Sequence, residues 1–303
     1  MASETRYADW VAVDWGTSHL RAWAMRDGAP VAEASSGKGM GSLEREGFEP
    51  ALTELIEPWM GQDRMTVVAC GMVGSRQGWA EAAYTAVPCA PDAGVPTRVE
   101  TSDPRLAVHI LPGLRQNAPA DVMRGEETQI AGHLAREPGF DGVMCLPGTH
   151  TKWVQISAGE VVSFRTCMSG EMFALLSGQS VLRHSMDDQW DDAAFAEAVS
   201  DAMSRPEAMA ARLFAIRAES LLHDPAPGAA RARLSGLLVG AELAATRPYW
   251  LGQDIVLIGN AGLSAHYAEA LTAQGLTPRT IDATEATLAG LTAAYQKLED
   301  TKT

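Results

Sequence analysis

Apolar and polar positions are grouped differently at the ends of this chain and in its middle. Tyr7 to Asp14 builds into an apolar run that predicts a strand, and Gly16-Thr17-Ser18 supplies a turn. Leu20 to Met25 predicts a second strand, closed by Asp27-Gly28 as a hairpin turn, and Pro30 to Ala34 a third. A helix is predicted over Phe48 to Met60 and buried strands over Met65 to Cys70 and Ala107 to Leu111, the latter stopped by Pro112-Gly113. Asp121 has the chemistry of an N-cap, so a helix is expected from there to Arg136. Strands follow at Gly142 to Leu146, Lys152 to Ile156 and Val161 to Arg165, the last two around Ala158-Gly159. From Glu171 the spacing turns helical, most clearly at Phe195 to Met203, Glu207 to Leu222 and Arg231 to Ala245. Ile255 to Ile258 reads as a buried strand, with helices at Gly262 to Gln274 and Thr284 to Leu298. Strands alternating with helices at both ends predict an α/β protein.

At 303 residues the chain is long enough for two domains. Apolar residues make up 46% and charged residues 20%, a globular composition. Lysine and arginine number 24 against 38 aspartates and glutamates, a net charge of −14, which disfavours nucleic acid and anionic membranes as partners. No apolar stretch is long enough to predict a membrane-spanning helix. The first ten residues show no basic segment followed by an apolar run, so a cytoplasmic location is expected. Cys70, Cys89, Cys145 and Cys167 are widely spaced and form no Cys-x-x-Cys pair, which predicts reduced thiols.

One passage echoes another. Asp14-Trp15-Gly16-Thr17-Ser18-His19-Leu20-Arg21 and Leu146-Pro147-Gly148-Thr149-His150-Thr151-Lys152-Trp153 each follow a strand, place Gly-Thr at a turn and enter a second strand with a basic residue. Glycine lets a backbone approach an anion, and amides in a turn form an anion-binding concavity. Two such hairpins can hold a polyphosphate; they can also be unrelated turns. Asp14, beside the first turn, suits a hydrated magnesium ion, or it bonds its own backbone as turn aspartates do. Gly37-Lys38-Gly39-Met40-Gly41-Ser42 is glycine-rich but has the spacing of neither a P-loop nor a dinucleotide loop.

Other groups offer acid–base or substrate chemistry. Arg124-Gly125-Glu126-Glu127 carries adjacent carboxylates near a helix start, where the helix dipole favours them and where one can accept a proton from a hydroxyl. Gly71 to Trp79 holds Gly74, Ser75 and Arg76 in a loop able to wrap a small polar molecule. Arg165 ends a strand and can pair with a carboxylate, as can Arg76 and Arg124. Gly259-Asn260-Ala261-Gly262 is a strand–turn–helix passage that places amides near a flat ligand. Asp187-Asp188 and Asp191-Asp192 read as a solvated helix start, and the eight tryptophans as mostly core.

Together these segments resemble the actin, hexokinase and chaperone-ATPase superfamily, and within it the 2-dehydro-3-deoxygalactonokinases. The carriers are Val13 to Trp23, Gly71 to Trp79, Met123 to Gln129, Pro147 to Trp153, Phe164 to Glu171 and Ser235 to Glu242, spread nearly end to end. Arg76 and Asn260-Ala261-Gly262 depart from the pattern of other members. The resemblance implies a duplicated, ribonuclease H-like two-domain fold with ATP in the cleft. An N-terminal domain over 1–120 would carry the first turn and the sugar-acid loop. A C-terminal domain over 121–303 would carry the second turn and the adenosine loop, with the final helix packing back on the first domain.

The implied reaction moves the γ-phosphoryl group of ATP to the 6-hydroxyl of 2-dehydro-3-deoxy-D-galactonate, in galactonate or galactose catabolism. Gly16, Thr17, Ser18, Gly148, Thr149 and His150 would hold phosphates, with Gly259, Asn260 and Gly262 at the adenosine. Asp14 would orient Mg2+, Lys152 or Arg21 would offset developing charge, and Glu126, or else Glu127, would be the base. Gly74, Ser75 and one of Arg76, Arg124 and Arg165 would hold the sugar acid. The alternatives are a kinase of another 2-keto-3-deoxy sugar acid, a nucleotide or sugar-acid sensor and a phosphohydrolase. The oligomeric state stays open, a homodimer being compatible with the chain.

Overall fold

The computed structural model describes residues 7–301. The opening segment read for a leader therefore lies largely outside the described residues. In chain order the first elements are β1 (Trp10–Trp15), β2 (Leu20–Arg26), β3 (Ala29–Ser36), α1 (Phe48–Ile56), β4 (Met65–Cys70), β5 (Tyr84–Ala86), β6 (Thr97–Arg98), β7 (Leu106–Ile110), β8 (Gly113–Asn117), β9 (Ala120–Met123) and α2 (Glu126–Arg136). Then come β10 (Gly142–Leu146), β11 (Thr151–Ser157), β12 (Glu160–Cys167), α3 (Ser169–Gly178), α4 (Asp192–Ser204), α5 (Met209–Leu222), α6 (Ala229–Ala245) and α7 (Arg247–Trp250). The chain ends with β13 (Ile255–Gly259), α8 (Ala261–Thr272), β14 (Arg279–Asp282) and α9 (Ala283–Asp300).

Contacts divide the chain into two units. The first comprises the segment ending at Phe140, Ser157–Ser163 and the segment from Ala283 on; the second comprises Asp141–Ile156 and Phe164–Asp282. The break falls after α2, whereas the sequence places a boundary after residue 120. α2 goes with the first unit because it packs along α9.

Each unit is built on a sheet of the same order. The first runs β3-β2-β1-β4-β7-β6 and the second β12-β11-β10-β13-β14. In both, the opening strand pairs antiparallel with the next strand and parallel with the strand after the crossover. Both tight hairpins turn through two positive-φ residues, Asp27-Gly28 and Ala158-Gly159, whose twist matches that of the flanking strands. A small third sheet, β5-β8-β9, belongs to the first unit.

Period two along β1 feeds two cores. Val11, Val13 and Trp15 pack with α1 through Phe48, Leu52 and Ile56. Trp10 and Ala12 face the other way, with Trp23, Val68 and Leu291 of α9, and Trp10 stacks on Tyr295 at 4.4 Å between ring centroids. In the second unit Val143, Cys145 and Trp153 pack with Phe195, Val239 and Leu243 of α4 and α6. Cys70 and Cys145 are buried, and none of the four cysteines forms a disulfide.

One expected element is corrected. Asp121 caps no helix: residues 120–123 form β9, which pairs antiparallel with β8, and the helix starts at Glu126. Gly125, at φ 110°, breaks the path between strand and helix, and an Asp121 start would have run the helix through it. Asp191, by contrast, is the N-cap of α4, accepting from the Ala194 amide, so the aspartate run is a helix start. The 3-10 turn at Glu57–Trp59 ends α1 short of Met60, with Pro58 inside it. No helix of the described residues is long and apolar enough to cross a membrane.

α2 and α9 cross at two glycines. A Cβ on Gly290 would lie 1.9 Å from the Thr128 carbonyl oxygen, and one on Gly132 would lie 2.0 Å from that of Ala286. Gly290→Ala gains about 1 kcal/mol in helix propensity but overpacks the crossing by about 3 kcal/mol. The expected net loss is about 2 kcal/mol in urea unfolding. Gly178→Ala, in the last turn of α3 with nothing within 4 Å, is the helical control. Equal stability of Gly290→Ala and wild type would show that the helices do not cross this closely.

Candidate functional site

Two sets of chemically competent residues are present, one in each unit. In the first unit the β1 register places Asp14 opposite Arg21 on β2 and beside Cys70 on β4. Arg21 Nη2 donates to Asp14 Oδ2 at 2.5 Å, and its Nη1 donates to the Thr284 hydroxyl at 3.2 Å. The Cys70 thiol lies 4.0 Å from Asp14 Oδ1. Burial, then the Asp14 and Glu127 charges, push this thiol well above its ordinary pKa, so it stays protonated and unreactive.

Glycines let backbone close in on Asp14. Gly71 has φ 94°, and a Cβ there would lie 2.8 Å from the Trp15 carbonyl oxygen and 3.4 Å from Asp14 Oδ1. A Cβ on Gly125 would meet the Gly71 Cα at 3.3 Å. The end of β4 and the start of α2 therefore meet beside the end of β1 without side chains between them. The Gly16–Ser18 turn is backed by the glycine-rich 37–42 segment: the Met40 and Gly41 amides donate to the Gly16 and Thr17 carbonyls, each at 2.9 Å. That segment is a brace for the turn, a role its spacing did not suggest.

The two glutamates at the start of α2 differ in their surroundings. Glu126 is half-buried, and its Oε2 accepts from the Arg124 amide at 3.0 Å. Glu127 is 2% exposed, and its two oxygens accept from the Gly125 amide at 2.8 and 2.7 Å. Burial, and then the Glu126 charge, push the Glu127 carboxyl up to about 7. The amide bonds pull the other way and lose.

The three candidate arginines separate. Arg124 is 7% exposed; its Nη2 donates to the Ala82 carbonyl at 2.7 Å, and its guanidinium stacks on Tyr84 at 4.2 Å. It braces the 82–84 segment against Gly74, where a Cβ would lie 2.8 Å from its Nη1. Ser75 is buried beside it. Arg76 is exposed and 3.6 Å from Glu81. Arg165, in the second unit, is exposed.

In the second unit the Gly148–His150 turn lies against the start of α3. The Glu171 amide donates to the Thr149 carbonyl at 2.9 Å, His150 Nε2 is 2.7 Å from Glu171 Oε2, and a Cβ on Gly170 would lie 2.2 Å from the Gly148 carbonyl oxygen. Lys152 is buried, its Nζ donating to the Thr166 hydroxyl at 2.8 Å. A cavity of about 420 Å³ opens beside the turn, lined by Gly148, Thr149, Ser169 and Gly170 at one end. Trp190 and His266, stacked at 4.0 Å, form a flat wall of it, and Arg231 lies over Phe173 on another side. Burial holds His266 below its ordinary pKa, which favours the neutral ring.

The cavity has the size of a small-molecule site, with glycine and hydroxyl residues of the turn and the α3 start on its lining and aromatic and aliphatic surface elsewhere. Gly259, Asn260 and Gly262 serve it indirectly. Asn260 caps α8, accepting from the Gly262 amide at 2.9 Å, and a Cβ on Gly259 would meet Pro147 at 3.4 Å. The α8 residues that line the cavity lie further on: Leu263, His266 and Tyr267. Sequence reasoning missed Trp190 and His266, which carry no motif and are separated along the chain. It did single out Ser235 to Glu242, whose Ser235, Leu238 and Val239 line the cavity.

The sequence pattern of the family described as 2-keto-3-deoxy-galactonokinase matches residues 14–294. The chain belongs to this family. A Rhizobium meliloti (strain 1021) protein named probable 2-dehydro-3-deoxygalactonokinase is 40% identical over 299 residues, covering 95% of this chain and 97% of the relative. The Escherichia coli (strain K12) protein named 2-dehydro-3-deoxygalactonokinase is 35% identical over 272 residues, covering 88% and 91%. A crystal structure from Sinorhizobium meliloti, described with the same kinase name, superposes with a TM-score of 0.89 at 38% identity over 95% of this chain and 99% of that one. Component A of the (R)-2-hydroxyglutaryl-CoA dehydratase of Acidaminococcus fermentans has a TM-score of 0.51 at 13% identity, over 96% and 98% of the two chains. That likeness concerns the fold alone, and the duplicated actin/hexokinase-like architecture expected from the sequence is the one observed.

The buried Glu127 carboxylate has a measurable consequence. Folded protein keeps the Glu127 proton up to about pH 7, whereas the unfolded chain releases it near 4.5. The folded state thus binds more protons in that window, so this group makes stability fall as pH rises from 4.5 to 7. Glu127→Gln is expected to remove that part of the slope in urea unfolding across the window. Parallel pH profiles for wild type and variant would overturn the assignment.

Proposed function

We propose that this chain is an ATP-dependent sugar-acid kinase transferring the γ-phosphoryl group to the 6-hydroxyl of 2-dehydro-3-deoxy-D-galactonate, in galactonate or galactose catabolism in the cytoplasm. The observation that carries the reading is the cavity beside the Gly148–His150 turn, in a chain of this family. Its aromatic wall suits a base, and the turn with the α3 N-terminus suits phosphates. Gly16, Thr17 and Ser18 form the first phosphate turn. Asp14 is the carboxylate suited to orient a hydrated magnesium ion. Its Oδ2 is held by Arg21, and among the described residues no group of three or more metal-ligating side chains forms an all-protein cage. This fits an ion that keeps several waters and takes few protein ligands, and bound there it would neutralise phosphate charge.

The acceptor oxygen attacks the γ-phosphorus, the bond to the β–γ bridging oxygen breaks, and ADP leaves with that electron pair. Glu126 takes the hydroxyl proton; its half-exposed carboxylate, pinned by one backbone amide, suits a base. Glu127 holds Gly125 rather than substrate. Lys152 is the cation beside the second turn. Arg21 acts through Asp14, and its charge is directed there. Gly74 and Ser75 shape the acceptor loop, Arg124 braces it, and the exposed Arg76 and Arg165 offer guanidinium groups for the sugar-acid carboxylate.

ADP formation with magnesium-ATP is measured against 2-dehydro-3-deoxy-D-galactonate and its gluconate epimer. Acceptor-dependent turnover favouring the galactonate form is the expected result. Preference for the epimer would change the substrate and keep the chemistry, and phosphate release without acceptor would mark a hydrolase. Glu126→Gln is expected to lower kcat by about 10²- to 10⁴-fold with the fold intact. Full turnover by that variant would remove Glu126 from the base role.

A further inference from the structure

Glu242 lies on α6, on the same helix face as the cavity-lining Ser235, Leu238 and Val239. It is 4% exposed and does not itself line the cavity. Three donors converge on its carboxylate. Trp153 Nε1 donates to Oε1 at 2.8 Å, while the Ser169 hydroxyl and the Tyr267 hydroxyl, the latter at 3.0 Å, donate to Oε2. The Tyr267 oxygen is also 3.0 Å from the Thr151 hydroxyl, which completes the chain of bonds.

A buried carboxylate carries a large desolvation cost, which its hydrogen bonds must offset. Each donor here belongs to a different element bearing on the second phosphate turn. Trp153 and Thr151 are on β11, which leaves that turn. Ser169 opens α3, whose next residue, Gly170, abuts the Gly148 carbonyl and whose Glu171 amide holds the Thr149 carbonyl. Tyr267 is on α8 and lines the cavity.

We propose that Glu242 is the positioning residue of the nucleotide half-site: it fixes the β11 start, the α3 N-terminus and Tyr267 relative to one another, and thereby sets the Gly148–His150 turn in phosphate-binding geometry. The proposal rests on the kinase reading above. Three separate arms meeting at one acceptor over-determine its position, and a hydroxyl, an indole and a phenol are thereby ordered. Glutamine can replace it in shape. Its carbonyl can accept from Trp153, and its amide can donate to the two hydroxyls, each of which can also accept. Alanine removes the acceptor from all three.

The experiment compares wild type with Glu242→Ala, Glu242→Gln and Trp153→Phe, using calorimetric ADP affinity, KM for ATP and KM for the sugar acid, with thermal unfolding as a check on folding. Glu242→Ala is expected to weaken ADP binding and raise KM for ATP by about tenfold or more, with KM for the sugar acid unchanged. Glu242→Gln should recover most of that loss. Trp153→Phe, which removes one donor and leaves the cavity lining untouched, should raise KM for ATP by about threefold. If Glu242→Ala does not fold, the Trp153→Phe split decides. Wild-type ADP affinity in a folded Glu242→Ala protein, or equal losses for both substrates, would overturn the proposal. A wild-type protein that binds no ADP would instead overturn the kinase reading.

Discussion

Everything in the first half-site depends on how closely three pieces of backbone meet at Asp14. β1 ends there, β4 ends at Cys70 beside it, and α2 begins just beyond Gly125. Gly71 and Gly125 carry positive φ; a Cβ would clash with Trp15 at Gly71 and would sit tight against the Gly71 Cα at Gly125. Because no side chain separates these termini, one carboxylate at a strand end and two at a helix start fall in one neighbourhood. A residue larger than glycine at Gly71 would be strained by its φ and would push against Trp15. The same close approach buries Glu127 and the Cys70 thiol, and it keeps both proton-bearing groups protonated well above their ordinary pKa values.

The second half uses the same sheet order with different equipment. Where the first unit has α1 between β3 and β4, the second inserts α3 to α7 between β12 and β13. That insertion supplies Ser169, Trp190 and Arg231, so a cavity forms beside the second turn. Each unit buries a glutamate that accepts hydrogen bonds, locally at the α2 start in the first and from three elements in the second. Glu127 collects the Gly125 amide, and Glu242 an indole, a hydroxyl and a phenol. Burial raises the pKa of each, so in each the hydrogen bonds work against desolvation.

The repeated sheet was legible because its strands are short apolar runs bounded by glycine turns. Met65–Cys70 and Gly142–Leu146 stand where the pattern puts them. β8 gave no signal and residues 121–123 were read as helix because both strands are short and polar, and Asp121 has cap chemistry without a helix to cap. The two Gly-Thr turns were legible as turns because each stands between the ends of consecutive apolar strands. The cavity wall was not legible. Trp190 and His266 are distant in sequence, and only the packing of α8 on the residues before α4 stacks one ring on the other. The arginines show the limit most plainly. Arg76, Arg124 and Arg165 look alike along the chain, and burial alone separates the brace from the two exposed groups.

A chain with a net charge of −14 that takes a polyphosphate and a sugar acid faces a field problem. Bringing cations to the turns would be the direct answer, yet the nearby ones are held in bonds of their own. Arg21 pairs with Asp14, and Lys152 is buried against Thr166. What the turns offer instead is backbone: glycine-lined loops and, in the second unit, the first amides of a ten-residue helix. Amides carry no net charge, need no counterion when the ligand is absent and lose little side-chain entropy when it binds. Their cost is orientation, since a dipole is useful only when it is aimed. The bracing around them follows from that cost. Gly37–Ser42 backs the first turn, and the Ser169, Tyr267 and Trp153 arms back the second. On the proposed reading, an acidic protein would bind phosphate with fixed dipoles, and the buried Glu242 carboxylate beneath the second turn would keep its dipoles still.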